Sequence, residues 1–461
     1  MNSIGKLQNY FQKYIIKMKG NIYIVHHVDT EGPLFEPVVE IFKRLDAILG
    51  IDLNLTANLK NLKLLQQGLL IQDKELSKTI QKIVDPHLIS FKSNWNEIDE
   101  MLVRITSQDF RKKYKDSFGN GWVYNWHLLD HVGFNTNERR RDIGYSNVYK
   151  HYNDFFKENF KGKDDFQWHF HPISFKKEAH KCATSFVNSY HEINQIMSRR
   201  IIDEHWFPQV NRAGFHTERP DSNWFLEQWM PFDASNQSMD NEVNKLQSDA
   251  INGRFGDWSN APSDWSIYNP DLYDWRRKGN LKRYISRVLN LNTRFRNINK
   301  EEVEKAFIKA QSGQDVYLGV TNHDFREMSN EVHEFYKILI EVSNSFPDIK
   351  FINENSLNAF RCILNYSESE IEKNKLEFNA TLNKNVLKIE VTNGEPFGPQ
   401  PYLAIKTING EYYHDNFDFG IFKKEYFYTF DSHTFNIKEI SNIAIASNDK
   451  YGNCIIKNIK I

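Results

Sequence analysis

Residues 22–33, IYIVHHVDTEGP, decide how this chain is read. The first four are apolar and β-prone, and polar groups arrive only at the end of the run. That pattern predicts a buried strand whose carboxyl end carries chemistry. With a two-residue strand period, His27, Asp29 and Glu31 point to one side. Two carboxylates and an imidazole sharing a face are costly to bury unless they bind something. The competing reading is a solvated loop start, or an aspartate that caps a following helix.

Outward from this stretch, strand-like runs recur at 121–129, 166–171, 205–210 and 316–321. Helical periodicity fills 56–115, with a break at Asp85-Pro86 where proline removes a backbone donor. A further helix is expected over 299–311. Asn299 caps it, Glu302 three residues later suits a capping box, and Gly313 stops it. Another is expected over 331–344. Strands alternating with helices predict a mainly parallel α/β fold, in which functional groups gather at the carboxyl ends of strands. Residues 212–298 are rich in Trp, Asn, Asp and Pro and read as long loops on the barrel. From about residue 370 short alternating strands separated by Asn, Gly and Asp turns predict an all-β sandwich. The expected division is therefore 1–367, a (β/α) barrel with a helical insertion at 56–115, and 368–461, a β-sandwich.

Composition removes several classes. With 59 Lys+Arg against 60 Asp+Glu, the 461-residue chain has a net charge of −1. No cation excess is available for duplex phosphates, so no nucleic-acid partner is expected. Arg139-Arg140-Arg141 is the densest basic patch and reads as solvated surface. No apolar run is long enough for a membrane span. The first twenty residues alternate apolar and cationic side chains and lack a signal-peptide core. Cys182, Cys362 and Cys454 form no disulfide or zinc spacing. Together these predict a cytoplasmic protein.

Residues 166–172, Phe-Gln-Trp-His-Phe-His-Pro, place His169 and His171 two apart on one strand face. Alternating imidazoles supply two neutral nitrogen ligands for zinc or a similar divalent ion. With Asp29 and Glu31 they make a His₂-carboxylate set with open positions, the pattern of catalytic metals. After the next strand, Arg212 is placed to pair with a carboxylate and hold it ionised. Asp233 follows an apolar run, and the strand at 316–321 delivers Asn322-His323-Asp324. His127 is read as facing a pocket and His131 as structural, whereas His87, His151, His180, His191 and His333 read as solvated. No phosphate-binding glycine loop, Gly-x-Ser-x-Gly elbow or His-Glu-x-x-His helix is present.

In their order along residues 20–365, these motifs resemble the polysaccharide deacetylase (NodB-homology) family of the glycoside hydrolase/deacetylase barrel superfamily. Asp29-Thr30-Glu31 is similar to the family's first, Asp-rich motif, and Trp168-His169-Phe170-His171-Pro172 to its metal-binding histidine motif. Asn211-Arg212-Ala213-Gly214 is similar to the Arg motif. Phe232-Asp233-Ala234-Ser235 is similar to the Asp motif, and Thr321-Asn322-His323 to the last, which carries the catalytic-acid histidine. Glu31 stands two residues after Asp29 rather than beside it, and one residue rather than three separates the histidines.

The resemblance implies a distorted (β/α) barrel of the NodB type and hydrolysis of an acetamido group on a carbohydrate substrate. A divalent metal, zinc, would sit on His169, His171 and a carboxylate from Asp29 or Glu31. Asp29 would be the base, Arg212 its partner, and His323 the acid. Asp324 or Asp233 would hold the imidazoles in register, and the Trp-rich loops with Trp224 would stack on sugar rings. Trp126 and His127 are also expected at the substrate. Two rival readings are a glycosidase of the same superfamily, with Asp29 in a carboxylate pair, and a non-catalytic glycan-binding protein.

Overall fold

The computed structural model describes residues 19–178, 185–240, 256–459 and 461. The N-terminal stretch, His180, Cys182 and residues 241–255 of the expected loop zone lie outside the described residues. Eight strands make the first sheet: β1 (Ile22–Thr30), β2 (Tyr124–Leu128), β3 (Asp165–Phe170), β4 (Val210–Ala213), β5 (Phe232–Asn236), β6 (Tyr284–Asn290), β7 (Val316–His323) and β8 (Phe351–Asn353). Strands β1 to β7 are parallel and form a closed ring, because β1 pairs with both β2 and β7. Strand β8 pairs only with the opening residues of β1, Ile22–Ile24.

Helices cover the outside of the ring. Between β1 and β2 come α1 (Val38–Leu49), α2 (Leu59–Gln66), α3 (Lys74–Ile83), α4 (Pro86–Ile89), α5 (Trp95–Thr106) and α6 (Gln108–Lys113). Then α7 (Asn147–Glu158), α8 (Tyr190–Glu204), α9 (Pro220–Trp229), α10 (Lys300–Gln311) and α11 (Met328–Ser345) follow β2, β3, β4, β6 and β7 in turn. The Asp85-Pro86 break is real: the Asp85 carboxylate accepts the His87 N–H, and Pro86 opens α4. Asn299 caps α10 by accepting the Glu302 N–H at 2.9 Å. The capping box is only half formed, since the Glu302 carboxylate turns inward to Arg287 at 2.6 Å.

Side-chain alternation sorts each strand into two faces. Ile22, Ile24 and Val28 of β1 join Trp126, Leu318 and Val320 in the layer under the helices. Tyr23, Val25, Val210, Phe232, Val288 and Tyr317 fill the lumen instead. Helix α12 (Ser356–Ile363) closes the amino-terminal end of the ring, with Phe360 stacked on Phe232 at 4.6 Å and tilted against Tyr317 at 4.9 Å. The barrel therefore has an apolar floor, and its inward ion pair, Asp29 with Arg212, lies toward the carboxyl end.

Two expectations need correction. Residues 205–210 are not a strand: α8 runs to Glu204, His205 is its left-handed C-cap (φ 50°), and β4 begins only at Val210. The zone 212–298 is not all loop, because α9, β5 and β6 lie within it and complete the ring. Most of its tryptophans serve as packing: Trp229, Trp258, Trp265 and Trp275 are buried, and Trp224 is exposed.

Past the short helix α13 (Glu368–Lys373) come β9 (Glu377–Asn383), β10 (Val386–Asn393), β11 (Tyr402–Thr407), β12 (Tyr412–Asp415), β13 (Asp418–Phe419), β14 (Glu425–Thr429), β15 (Ile440–Asn448) and β16 (Cys454–Ile459). They form two four-stranded antiparallel sheets, β13-β14-β10-β9 and β12-β11-β15-β16. Phe378, Leu387 and Ile389 of one meet Leu403, Ile405 and Ile443 of the other. The second sheet turns Tyr402, Ala404, Ala444 and Ala446 toward Ile193 and Met197 of α8 and Trp229 of α9. An apolar core thus joins this region to the barrel. Cys362 and Cys454 are free thiols, and no helix among the described residues is long and apolar enough to cross a membrane.

His414 sits on that seam, stacked on Tyr402 at 4.0 Å and donating from Nδ1 to the Leu403 carbonyl at 3.0 Å. Burial lowers its pKa to about 4. The unfolded chain takes up this proton near pH 6.5, so the stability it contributes is complete above 6.5 and is lost as pH falls toward 4. We expect His414→Gln to flatten the acid limb of stability against pH by up to ~1.4 kcal/mol per unit. Urea unfolding at several pH values checks this, and an unchanged slope contradicts it.

Candidate active site

At the carboxyl end of the lumen, β1 supplies Asp29, β3 His169, β4 Arg212 and β7 His323, with Glu31 and His171 just beyond β1 and β3. The register places His169 beside Arg212 and Asp29 beside both His127 and His323. All are buried or nearly so; His323 keeps 19% of its side chain exposed.

The centre of the arrangement is an ion pair across the lumen. Arg212 Nε donates to Asp29 Oδ1 at 2.6 Å, its Nη1 to the Ala234 carbonyl at 2.8 Å, and its Nη2 to His216 Nδ1 at 3.3 Å. Burial alone pushes the Asp29 carboxyl up, but Arg212 and the nearby imidazoles outweigh it and hold the group well below the usual carboxylate range. Asp29 is therefore ionised at any working pH.

Beside it, Glu31, His169 and His171 each offer a ligand atom, and these atoms lie within 4.8 Å of one another. His169 Nε2 and His171 Nε2 are 3.1 Å apart, and His171 Nε2 is 3.3 Å from Glu31 Oε1. Zinc bonds of about 2.0–2.1 Å set the edge of a coordination tetrahedron at about 3.3 Å, so the spacing fits a divalent ion. The protons agree. His169 Nδ1–H donates to the Arg212 carbonyl at 2.8 Å, which leaves Nε2 with its lone pair, the usual arrangement behind a ligating histidine. Glu31 Oε2 is fixed by Arg141 Nη2 at 2.6 Å, which leaves Oε1 toward the histidines. Three protein ligands leave coordination positions for a substrate or water.

Local chain chemistry holds these ligands. The Asp324 carboxylate accepts the N–H groups of Glu31 and Gly32 at 2.9 Å each and the Tyr152 hydroxyl at 3.0 Å. Gly32 takes φ +68°, where a side chain would be strained and would meet the Trp95 ring. His131 Nε2–H donates to the Glu31 carbonyl at 2.8 Å. A tight turn after β4 puts the Phe215 ring 4.4 Å from His171, and a Cβ on Gly214 would lie 2.2 Å from that imidazole. Phe215 and His216 both adopt positive φ, so the turn that carries them is strained.

His323 Nε2 faces the two acids, 3.9 Å from Asp29 Oδ2 and 3.8 Å from Glu31 Oε1. Arg326 Nη2 lies 3.4 Å from His323 Nδ1 and can only donate, so the imidazole proton resides on Nε2. Burial lowers the His323 pKa to about 4.

Several expected site residues lie elsewhere. Asp233 is on the outward face of β5, paired with Arg283 and accepting from Asn211 at 2.8 Å, so it orients no imidazole. Asp324 positions the Glu31 backbone rather than an imidazole. Trp126 is fully buried on the outer face of β2 and donates to Asp164 at 3.0 Å, out of reach of any substrate. Trp224 is exposed on α9, bonded to the Leu272 carbonyl at 2.7 Å and away from the cavity. His127 lies below the site in a neutral chain. Its Nδ1–H donates to the Trp168 carbonyl, so its Nε2 accepts from His27 at 2.8 Å, and His27 Nε2 accepts from the Tyr317 hydroxyl at 3.0 Å.

Above the site a cavity of about 180 Å³ opens between Phe91, Phe134, Phe215, Phe295 and Phe325. Arg141 and His216 line it and were not singled out by spacing; each follows a barrel strand in a loop without periodicity. The basic patch at 139–141 is mostly not solvated. Arg139 folds onto Glu36 at 2.7 Å and Arg141 onto Glu31, and only Arg140 stays exposed, over the Phe35 ring.

Compared with known proteins, the chain matches no family model, no curated protein and no solved structure.

The ion pair generates a direct test. Arg212→Met leaves a buried carboxylate without its counter-ion, which costs about 3–5 kcal/mol. Asp29→Asn combined with Arg212→Met removes both charges and is expected to recover more than half of that loss in urea unfolding. Equal stability of the single and double variants contradicts the pairing.

Proposed function

We propose that the chain is a divalent-metal hydrolase that removes an acetyl group from an N-acetylated sugar. One observation carries this reading: a Glu31/His169/His171 ligand set beside a second carboxylate, Asp29, held ionised by Arg212, with an imidazole N–H from His323 opposite. The motif order read from the sequence, similar to that of polysaccharide deacetylases, supports it and suggests a NodB-type variant of the barrel. A structural zinc site uses all four positions for protein ligands, whereas this set leaves room for a reactant.

Glu31, His169 and His171 would hold zinc or a similar ion, which would supply Lewis acidity at the amide carbonyl. Asp29 is placed to accept the proton of the attacking water. Arg212 acts as a positioning residue that fixes the carboxylate and trades some of its basicity for orientation. The proton that Asp29 accepts passes to the departing amine, which His323 steadies through its Nε2–H and which leaves as the free amino sugar alongside acetate. Arg141 holds one Glu31 oxygen, and the Arg212 carbonyl holds the His169 tautomer. The Phe-lined cavity supplies flat apolar faces for a sugar ring.

Zinc-reconstituted protein is expected to release acetate from an N-acetylated sugar substrate, and chelation to stop it. Asp29→Asn and His323→Ala are each expected to lower kcat by about 10²–10⁴-fold with the fold intact. New reducing ends without acetate contradict the reading and point to glycosidic cleavage.

A further inference from the structure

Arg44, Arg139, Arg141, Arg294 and Arg326 line the cavity, with the two carboxylates Asp29 and Glu31. Those two acids are engaged by Arg212 and Arg141, and Glu36 is engaged by Arg44 and Arg139.

Two of these guanidiniums hold unspent donors. Arg141 has 8% of its side chain exposed, and its Nε and Nη1 have no hydrogen-bond partner among the described residues. Arg326 is 6% exposed; its Nε has none either, and it makes no ion pair among the described residues. Arg326 acts on the Glu331 carboxyl, which burial nevertheless pushes up, toward its neutral form. Both guanidiniums lie over the Phe325 ring, at 5.0 and 5.8 Å, which ties them to one edge of the cavity beside Glu31 and His323. Buried charged donors without acceptors are unfavourable unless a ligand completes them, and planar guanidinium donors match carboxylate and phosphate oxygens.

We propose that the substrate carries an anionic oxygen group, phosphate or carboxylate, bound at the edge of the cavity formed by Arg141, Phe325 and Arg326. This deepens the hydrolase reading and rests on it for the sugar; the anion site stands on the arginines alone. A neutral polysaccharide leaves these donors unmatched, whereas a sugar phosphate, a nucleoside-diphosphate sugar or a uronic acid satisfies them.

Calorimetric titration of the full chain, zinc-loaded and after chelation, separates the cases. The probes are N-acetylglucosamine, its 1-phosphate, its nucleoside-diphosphate ester and N-acetylglucosaminuronic acid. At least one anionic sugar is expected to bind tenfold or more tightly than the neutral one in both states, and the phosphate and uronate arms tell which oxyanion is preferred. Arg326→Gln is expected to remove most of that preference, and Arg326→Lys to keep more of it than Arg326→Gln. Equal affinity for neutral and anionic sugars, or a preference untouched in both Arg326→Gln and Arg141→Gln, overturns the proposal. Acetate is measured on the same sugars. An anion preference without acetate release contradicts only the hydrolytic reading, and acetate release without a preference contradicts only the anion site.

Discussion

A buried charge pair that spans a closed ring organises this protein. Asp29 belongs to β1 and Arg212 to β4, strands that never touch as neighbours in the sheet. Their contact exists only because seven strands close and bring opposite walls within hydrogen-bond reach. Taking two charges out of water costs several kcal/mol each, and the return depends on every remaining donor being met. Here the other Arg212 nitrogens find the Ala234 carbonyl and His216, while its own carbonyl takes the His169 proton. The same residue therefore sets the ionisation of the carboxylate and the tautomer of His169, one of the three side chains that could hold a metal. Chemistry at this end and closure of the barrel are one physical problem.

The lumen shows how that problem is divided. Its floor is apolar and covered by Ala359 and Phe360 of α12. Above the floor, the chain from Ser356 through Tyr317 and His27 to His127 satisfies each polar atom with a neutral partner. Net charge is confined to the top layer, where the strands end and the backbone can turn to present ligands. The strained turn at Phe215 and His216 lies there too. Apolar packing fills the bottom of the barrel, and the charged groups gather at the rim.

Much of this was legible in the chain. The run at 22–30 reads correctly because both of its faces are buried, and His169 and His171 share a face because strand alternation fixes that geometry. The Asn299 cap was visible from its side chain alone, and the alternating pattern expected after about residue 370 corresponds to strands. What failed to show did so for identifiable reasons. Strands β5 and β6 hide in a zone whose tryptophans and prolines mimic loop composition, and Asp233 sits one residue out of phase with the inward face. Tryptophans look like sugar platforms in a sequence, yet Trp126 and Trp258 fill the packed core. Arg141, Arg326 and His216 lie in loops, where no period predicts direction, so only the folded chain reveals that they line the cavity.

The central claim is that Glu31, His169 and His171 hold one divalent ion beside the Arg212-bound Asp29. Diffraction from crystals grown with zinc, recorded on both sides of the zinc absorption edge, tests it most directly. The account predicts a single strong anomalous peak bonded to those three side chains, with Asp29 still on Arg212. A site without such a peak, or zinc bound elsewhere with Glu31 turned away from the two imidazoles, contradicts it.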